Sequence, residues 1–239
     1  MSRIEGEALV VRTVEYGESD VIATLVTEPA GKVSAIVRGA RKGSRRIGGA
    51  LEPVHTIHVL LEDRGTELAT LKESRIVRMR AGVVANLEAL EAAGVALRWA
   101  RHLFPPRTPE PEGWRVLVEL LDVLDAGAGA THVQAELARA GLALLAAVGF
   151  GLELERCAVC GKECPPGKAA CVDPQRGGLV CLACGGARTL LVPEVRAAAA
   201  VLAQRRTAGG ATGEVSEQHA RELLQLVDRA MAIHAGFER

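Results

Sequence analysis

Two cysteine pairs, Cys157-Ala-Val-Cys160 and Cys181-Leu-Ala-Cys184, constrain this chain more than any other feature. Twenty residues separate the pairs. A Cys-x-x-Cys turn brings two sulfurs to one point, and two such turns at this spacing fit a single tetrahedral zinc ion. Glycine follows the second cysteine of each pair, Gly161 after Cys160 and Gly185-Gly186 after Cys184, where the backbone has to turn sharply past a ligand. Four thiolates close the coordination shell and leave no position for water. The expected ion therefore holds a fold together and performs no chemistry.

Other uses of paired cysteines fit less well. Disulfides belong to oxidising compartments. Met1-Ser2-Arg3-Ile4-Glu5 leads straight into a strand-like pattern, without the apolar stretch of a secretory signal, so a cytoplasmic chain with reduced thiols is expected. A thioredoxin-like site needs a βαβ setting and one reactive pair. A zinc deaminase needs an upstream His-x-Glu and a proline before its Cys-x-x-Cys, and here Val180 precedes Cys181. Cys164 and Cys171 lie between the pairs, outside any such turn, and read as free thiols.

The chain of 239 residues is long enough for one large domain or two ordinary ones. Aromatic residues make up only 3%, so any core must be packed with Leu, Val and Ala. Residues 6–80 read as strands: Ala8–Val11, Val21–Thr27, Lys32–Val37, Val54–Leu61 and roughly Thr66–Val77, with Glu28-Pro29-Ala30-Gly31 and Asp63-Arg64-Gly65 as turns. Five short antiparallel strands predict a small closed barrel, and the count favours the OB-fold. After Arg80 the period becomes helical. Val83, Val84, Leu87, Leu90, Val95 and Leu97 predict one helix over 83–103, and Trp114, Leu117, Leu120, Leu121 and Leu124 mark a second. Further helices are expected from Thr131 to about Val148, from Pro193, and from Ser216 as an N-cap. The predicted class is α+β and multidomain: an OB-fold barrel over 1–80, then a helical domain over 81–239 with a zinc segment, 155–187, inserted between helices. No apolar run reaches membrane-spanning length.

Net charge is formally zero, so composition alone points to no polyanion. Distribution says more. From Pro29 to Leu51 there is no acidic residue, while Lys32, Arg38, Arg41, Lys42, Arg45 and Arg46 fall in the same stretch, loosened by Gly39, Gly43, Gly48 and Gly49. A flexible basic loop at a barrel mouth suits phosphate oxygens, which guanidinium forks match. The alternative is a solvated basic loop without a ligand. Tyr16 is the barrel's single aromatic residue, so binding through the backbone, with little base stacking, is expected. No phosphate-binding P-loop, nucleophile elbow or acidic two-metal cluster is present, and no catalytic residue is assigned. His55 and His58, three apart on a strand, point to opposite faces and do not chelate together.

Three stretches acquire a joint meaning. They are Val11-Arg12-Thr13 with Tyr16-Gly17-Glu18-Ser19-Asp20, then Gly31-Lys32-Val33-Ser34-Ala35 with Arg38-Gly39-Ala40-Arg41-Lys42, and finally Gly149-Phe150, Leu154 and Cys157-Ala158-Val159-Cys160-Gly161 with Gly177-Gly178 and Cys181 to Cys184. In order and spacing the chain resembles the RecO family of bacterial DNA repair and recombination mediators. The resemblance implies an N-terminal OB-fold, a helical C-terminal domain and a four-cysteine zinc element. It implies binding of single- and double-stranded DNA, annealing of complementary strands, and assistance to RecA loading on SSB-coated strands with RecR. The C-terminal tail of SSB and RecR are the implied direct partners, RecA and RecF the functional ones, and the setting is the cytoplasm at the nucleoid. The competing expectation is a zinc-stabilised interaction scaffold that never touches DNA.

Overall fold

A computed structural model of the chain describes residues 2–42, 51–127, 130–204 and 215–236. These form two compact units, divided between Asp125 and Ala126.

The first unit opens with five strands: β1 (Ser2–Tyr16), β2 (Asp20–Thr27), β3 (Gly31–Val37), β4 (Thr56–Asp63) and β5 (Ala69–Arg78). They close into a barrel in the order β1-β2-β3-β5-β4, the OB arrangement expected from the strand count. β1 serves both sides of the barrel: Ser2–Leu9 pairs with β4 and Ala8–Tyr16 with β2. Closure comes from a short parallel contact, in which Ala35 of β3 faces Ala69 of β5. Ala23 pairs with Ala35 in the neighbouring ladder, so a row of small side chains crosses the seam. Alternate residues of each strand, such as Val33, Ala35 and Val37 or Ile57, Val59 and Leu61, fill the interior.

Three helices complete this unit: α1 (Ala81–Ala85), α2 (Leu87–Leu103) and α3 (Pro111–Asp125). The single helix expected over 83–103 is two. Asn86 adopts an extended backbone, and its side chain accepts the Ala89 N–H, capping α2 and ending α1. The break re-phases the helix. Ala89, Ala92, Ala93, Ala96, Leu97, Trp99 and Ala100 are buried, while Val84, Leu87 and Leu90, read as part of the apolar stripe, are exposed. α3 buries Trp114, Leu117, Leu120, Leu121 and Leu124 as its pattern predicts. The strap between α2 and α3 lies against the barrel. Arg107 donates its N–H to the Lys32 carbonyl at 2.9 Å, and its guanidinium meets Asp63. Gly31 accommodates the strap: it sits at φ +65°, and a Cβ there would stand 1.8 Å from the Thr108 carbonyl oxygen.

Arg80 joins strands to helices. Its side chain is completely buried. Nη1 donates to the Val54 carbonyl at 2.8 Å and the Thr56 hydroxyl at 2.9 Å, and Nε donates to Asp122 of α3 at 2.9 Å. Val54 is held at φ 71°, a left-handed conformation that costs a β-branched residue on the order of 1–3 kcal/mol.

The second unit contains α4 (Ala130–Ala147), α5 (Pro193–Gln204) and α6 (Glu217–Ala235). Ser216 caps α6 by accepting the His219 N–H at 3.2 Å, as its sequence position suggests. Between α4 and α5 runs a small sheet of β6 (Glu153–Cys157), β7 (Ala170–Asp173), β8 (Gly178–Leu179) and β9 (Thr189–Leu191), ordered β6-β8-β7-β9. Arg196 of α5 braces it, donating to the carbonyls of Pro165, Lys168 and Cys164 at 3.0, 2.7 and 2.9 Å. His234 of α6 stacks on Phe150 and bonds the Pro174 carbonyl, the core role its position suggests. Among the described residues no helix is long and apolar enough to cross a membrane.

Removing one partner of a buried ion pair strands the other, so Arg80→Met is expected to destabilise the first unit by about 2–4 kcal/mol. Chemical denaturation with a probe in that unit, such as Trp99 fluorescence, checks this. A loss under about 1 kcal/mol would mean the guanidinium is not the joint described.

Candidate metal centre and nucleic-acid interface

Cys157 ends β6 and Cys160 lies in the turn that follows. The turn is closed by Gly161 N–H to the Cys157 carbonyl and by Cys157 N–H to the Lys162 carbonyl, both 2.8 Å. Cys181 and Cys184 flank a short 3-10 turn closed by the Cys184 N–H to the Cys181 carbonyl at 2.9 Å. Gly161 and Gly185 take φ of +71° and +96°, the positive values a turn past a ligand requires. The four Sγ atoms lie within 4.8 Å of one another, and Cys160 and Cys181 are 3.8 Å apart. Four sulfurs about 2.3 Å from a central zinc would be spaced about 3.8 Å, so the geometry fits one tetrahedral ion. It does not fit a disulfide, which needs about 2.05 Å, and all six cysteines are free. Cys164 and Cys171 stay outside the cluster, as read from sequence.

The local fields act in opposite directions on two of the four thiols. The Cys157 thiol is pulled down to about 6, first by the backbone N–H of Cys181 and then by that of Cys160. Cys184 is pushed up to about 12 by its contacts with the Cys181 and Cys160 sulfurs. Four sulfurs this close cannot all ionise by themselves, and a divalent cation removes the conflict. Burial in turn raises the thiol of Cys164.

The basic stretch divides. Its base is anchored to the β1–β2 turn: Gly39 donates its N–H to Asp20 at 2.9 Å and Arg41 its N–H to the Ser19 carbonyl at 3.0 Å. Arg38 is exposed. Arg41 pairs with Glu15 at 3.2 Å, both well exposed, a contact worth about 0–1 kcal/mol that leaves the guanidinium open to stronger ligands. Arg45, Arg46 and the side chain of Lys42 lie outside the described residues. Lys32 lies elsewhere. It is half-buried, and its Nζ donates to the Arg101 carbonyl at 2.6 Å, in the last turn of α2. Burial, then the charge of Arg101, pushes its pKa down.

That position exposes a grouping the sequence reading missed. At the C-terminal end of α2, the Arg101 guanidinium donates to the His102 Nε2 at 2.8 Å, and Lys32 of β3 holds the Arg101 carbonyl. The pKa of His102 is lowered by burial and then by Arg101, Lys32 and Arg12. That of Arg101 is lowered by burial, Arg12 and Arg98. These side chains are far apart in sequence. The one local hint was Arg101-His102, a guanidinium and an imidazole closing a helical pattern.

Comparison with known proteins gives this arrangement a family. The model described as "Recombination protein O N terminal" matches residues 1–80, and that described as "Recombination protein O C terminal" matches 84–239. A protein of Anaeromyxobacter sp. (strain Fw109-5) named DNA repair protein RecO is 36% identical over 213 residues, covering 88% of this chain and 82% of its own. Namesakes from Anaeromyxobacter dehalogenans (strain 2CP-C) and Geobacter metallireducens are 35% and 34% identical, covering 99% and 98% of this chain and 93% of their own lengths.

Metal binding should fall as pH falls, because every ligand released takes up a proton. A chromogenic zinc chelator should therefore report release on acidification. Cys157→Ala and Cys184→Ala should each lose the ion and lower the thermal midpoint. A full equivalent of metal retained by either variant would move the site to Cys164 or Cys171.

Proposed function

The chain belongs to the recombination protein O family, and from that membership we propose that it serves DNA repair and homologous recombination as a mediator rather than a catalyst. It binds single- and double-stranded DNA, anneals complementary strands, and assists RecA loading on SSB-coated strands together with RecR, in the cytoplasm at the nucleoid. RecR and the SSB C-terminal tail are its direct partners, and RecF acts in the same process. The observation that carries the DNA-binding part is the basic loop, with no acidic residue from Pro29 to Leu51, rising from a closed OB barrel.

Phosphate neutralisation accounts for the mechanism. Two complementary strands repel each other through their backbones. We assign the neutralisation to the cations of the basic stretch, Arg38, Arg41, Lys42, Arg45 and Arg46, with Lys32 contributing from the end of α2. Strands held there carry less net charge and can approach while remaining mobile. Sequence-tolerant contact suits that task, since a mediator has to accept any strand. The sparse aromatic content fits too: Tyr16, exposed at the end of β1, is the barrel's one stacking platform.

The four thiolates bind one zinc ion, which supplies no chemistry beyond fixing two turns against each other. Cys157, Cys160, Cys181 and Cys184 hold it.

Reversing the charges of Arg41, Lys42 and Arg45 together should weaken binding to oligothymidylate and flatten its salt dependence by about 2 in log–log slope, roughly 0.7 for each phosphate contact on a single strand. Fluorescence anisotropy across a salt series measures both. Unchanged affinity and slope would remove the loop from the interface. A wild-type protein with no salt-sensitive affinity would favour the scaffold reading.

A further inference from the structure

We infer that Arg176, which is not among the four ligands, retains the metal: it is a positioning residue whose guanidinium locks the exit of the Cys181–Cys184 turn and adds a positive charge there. This rests on the zinc reading above.

The two cysteine turns are held differently. The first belongs to the sheet. Cys157 ends β6, its N–H donates to the Lys162 carbonyl, and the Ala158 N–H donates to the Leu179 carbonyl, both at 2.8 Å. The second turn is held at its entry. There the Val180 N–H donates to the Cys171 carbonyl at 2.9 Å, and the Cys181 N–H to the Cys157 sulfur at 3.4 Å. Beyond that its backbone bonds are internal: the N–H groups of Cys184 and Gly186 both return to the Cys181 carbonyl, and that of Gly185 to the Leu182 carbonyl. One side chain meets the carbonyls at the exit. Arg176 donates from Nη2 to the Cys184 carbonyl at 3.1 Å and, more weakly, from Nη1 to the Gly186 carbonyl at 3.5 Å. The rigid fork of a guanidinium suits two adjacent acceptors better than a single ammonium does.

Arg176 is itself fixed from behind. It ends a short turn, Pro174–Arg176, which Asp173 caps by accepting the Gln175 N–H at 3.0 Å. Pro174 is buried, and its carbonyl is bonded to His234 of α6 at 3.2 Å. On the far side of the turn a Cβ on Gly178 would stand 2.2 Å from the Glu153 carbonyl oxygen, so β8 lies directly against β6. A path of contacts thus runs from α6 through His234, Pro174 and Arg176 to Cys184.

Charge adds to position. Four thiolates around one divalent ion leave an excess of negative charge, which a neighbouring cation stabilises. Arg176 is exposed, and among the described residues no carboxylate pairs with it. Lys162 and Arg188 lie in the same segment, yet among the described residues neither side chain is bonded to either turn.

The test sets the zinc-loaded full-length protein against a chromogenic chelator. Arg176→Gln should bind zinc about 10- to 100-fold more weakly, the range for partners just outside the ligand set. Arg176→Lys, which keeps the charge without the fork, should fall between it and the wild type. Arg188→Gln removes the same charge from the same segment without touching the turn, and should hold zinc as the wild type does. At saturating zinc the thermal midpoint of Arg176→Gln should return to the wild-type value. Unchanged zinc affinity in Arg176→Gln overturns the inference, as does a lysine variant as weak as the glutamine one. An Arg188→Gln protein equally impaired overturns it too, since net charge alone would then suffice. A midpoint that stays low at saturating zinc makes the role merely structural and overturns it as well. In all of these the wild type still binds zinc; a wild type that takes up none removes the zinc reading along with this one.

Discussion

One guanidinium withdrawn from water organises the first unit. Arg80 sits where the last strand gives way to the first helix, and it reaches back to the start of β4 and across to α3. A buried cation is costly, and hydrogen bonds and a carboxylate offset that cost. Asp122 supplies the carboxylate and is itself shared with Arg78 at 2.6 Å. Because Val54 is one of the acceptors, the same residue fixes the point at which the basic loop rejoins the barrel. The loop's two ends are therefore rigid: one is tied to Asp20 and Ser19, the other to Arg80.

The two units rely on different sources of stability. The barrel is small and lined by aliphatic side chains, several no larger than alanine, and gains from closure, which leaves no free sheet edge. The cysteine segment has strands of two to five residues, too short to hold a sheet together in isolation. Its cohesion comes from the four-thiol cluster and from Arg196, whose guanidinium gathers carbonyls that would otherwise lack donors.

Much of this was legible in the residues, for identifiable reasons. Alternation of apolar residues and glycine-bearing turns located four of the five strands to within three residues and the core of the first, read as Ala8–Val11 where β1 runs Ser2–Tyr16, and paired Cys-x-x-Cys motifs located the thiol cluster, because both signals are local. The break at Asn86 was not legible as a pattern: Val83, Val84, Leu87 and Leu90 mimic a continuous stripe, while the buried face is built from alanines that carry little periodic signal. Lys32 was grouped with the loop by its position in the chain, yet its side chain belongs to the end of α2, a pairing across 69 residues.

The fixed ends of the basic loop carry a last implication. Closing a flexible segment costs free energy that grows only with the logarithm of its length, about 0.6 kcal/mol for each doubling. With both anchorages secured inside the barrel's own hydrogen-bond network, the segment between them can gain or lose residues at almost no penalty to folding. Reach and charge there are thus separable from stability, so a lengthened or recharged loop leaves the barrel's folding free energy nearly where it was.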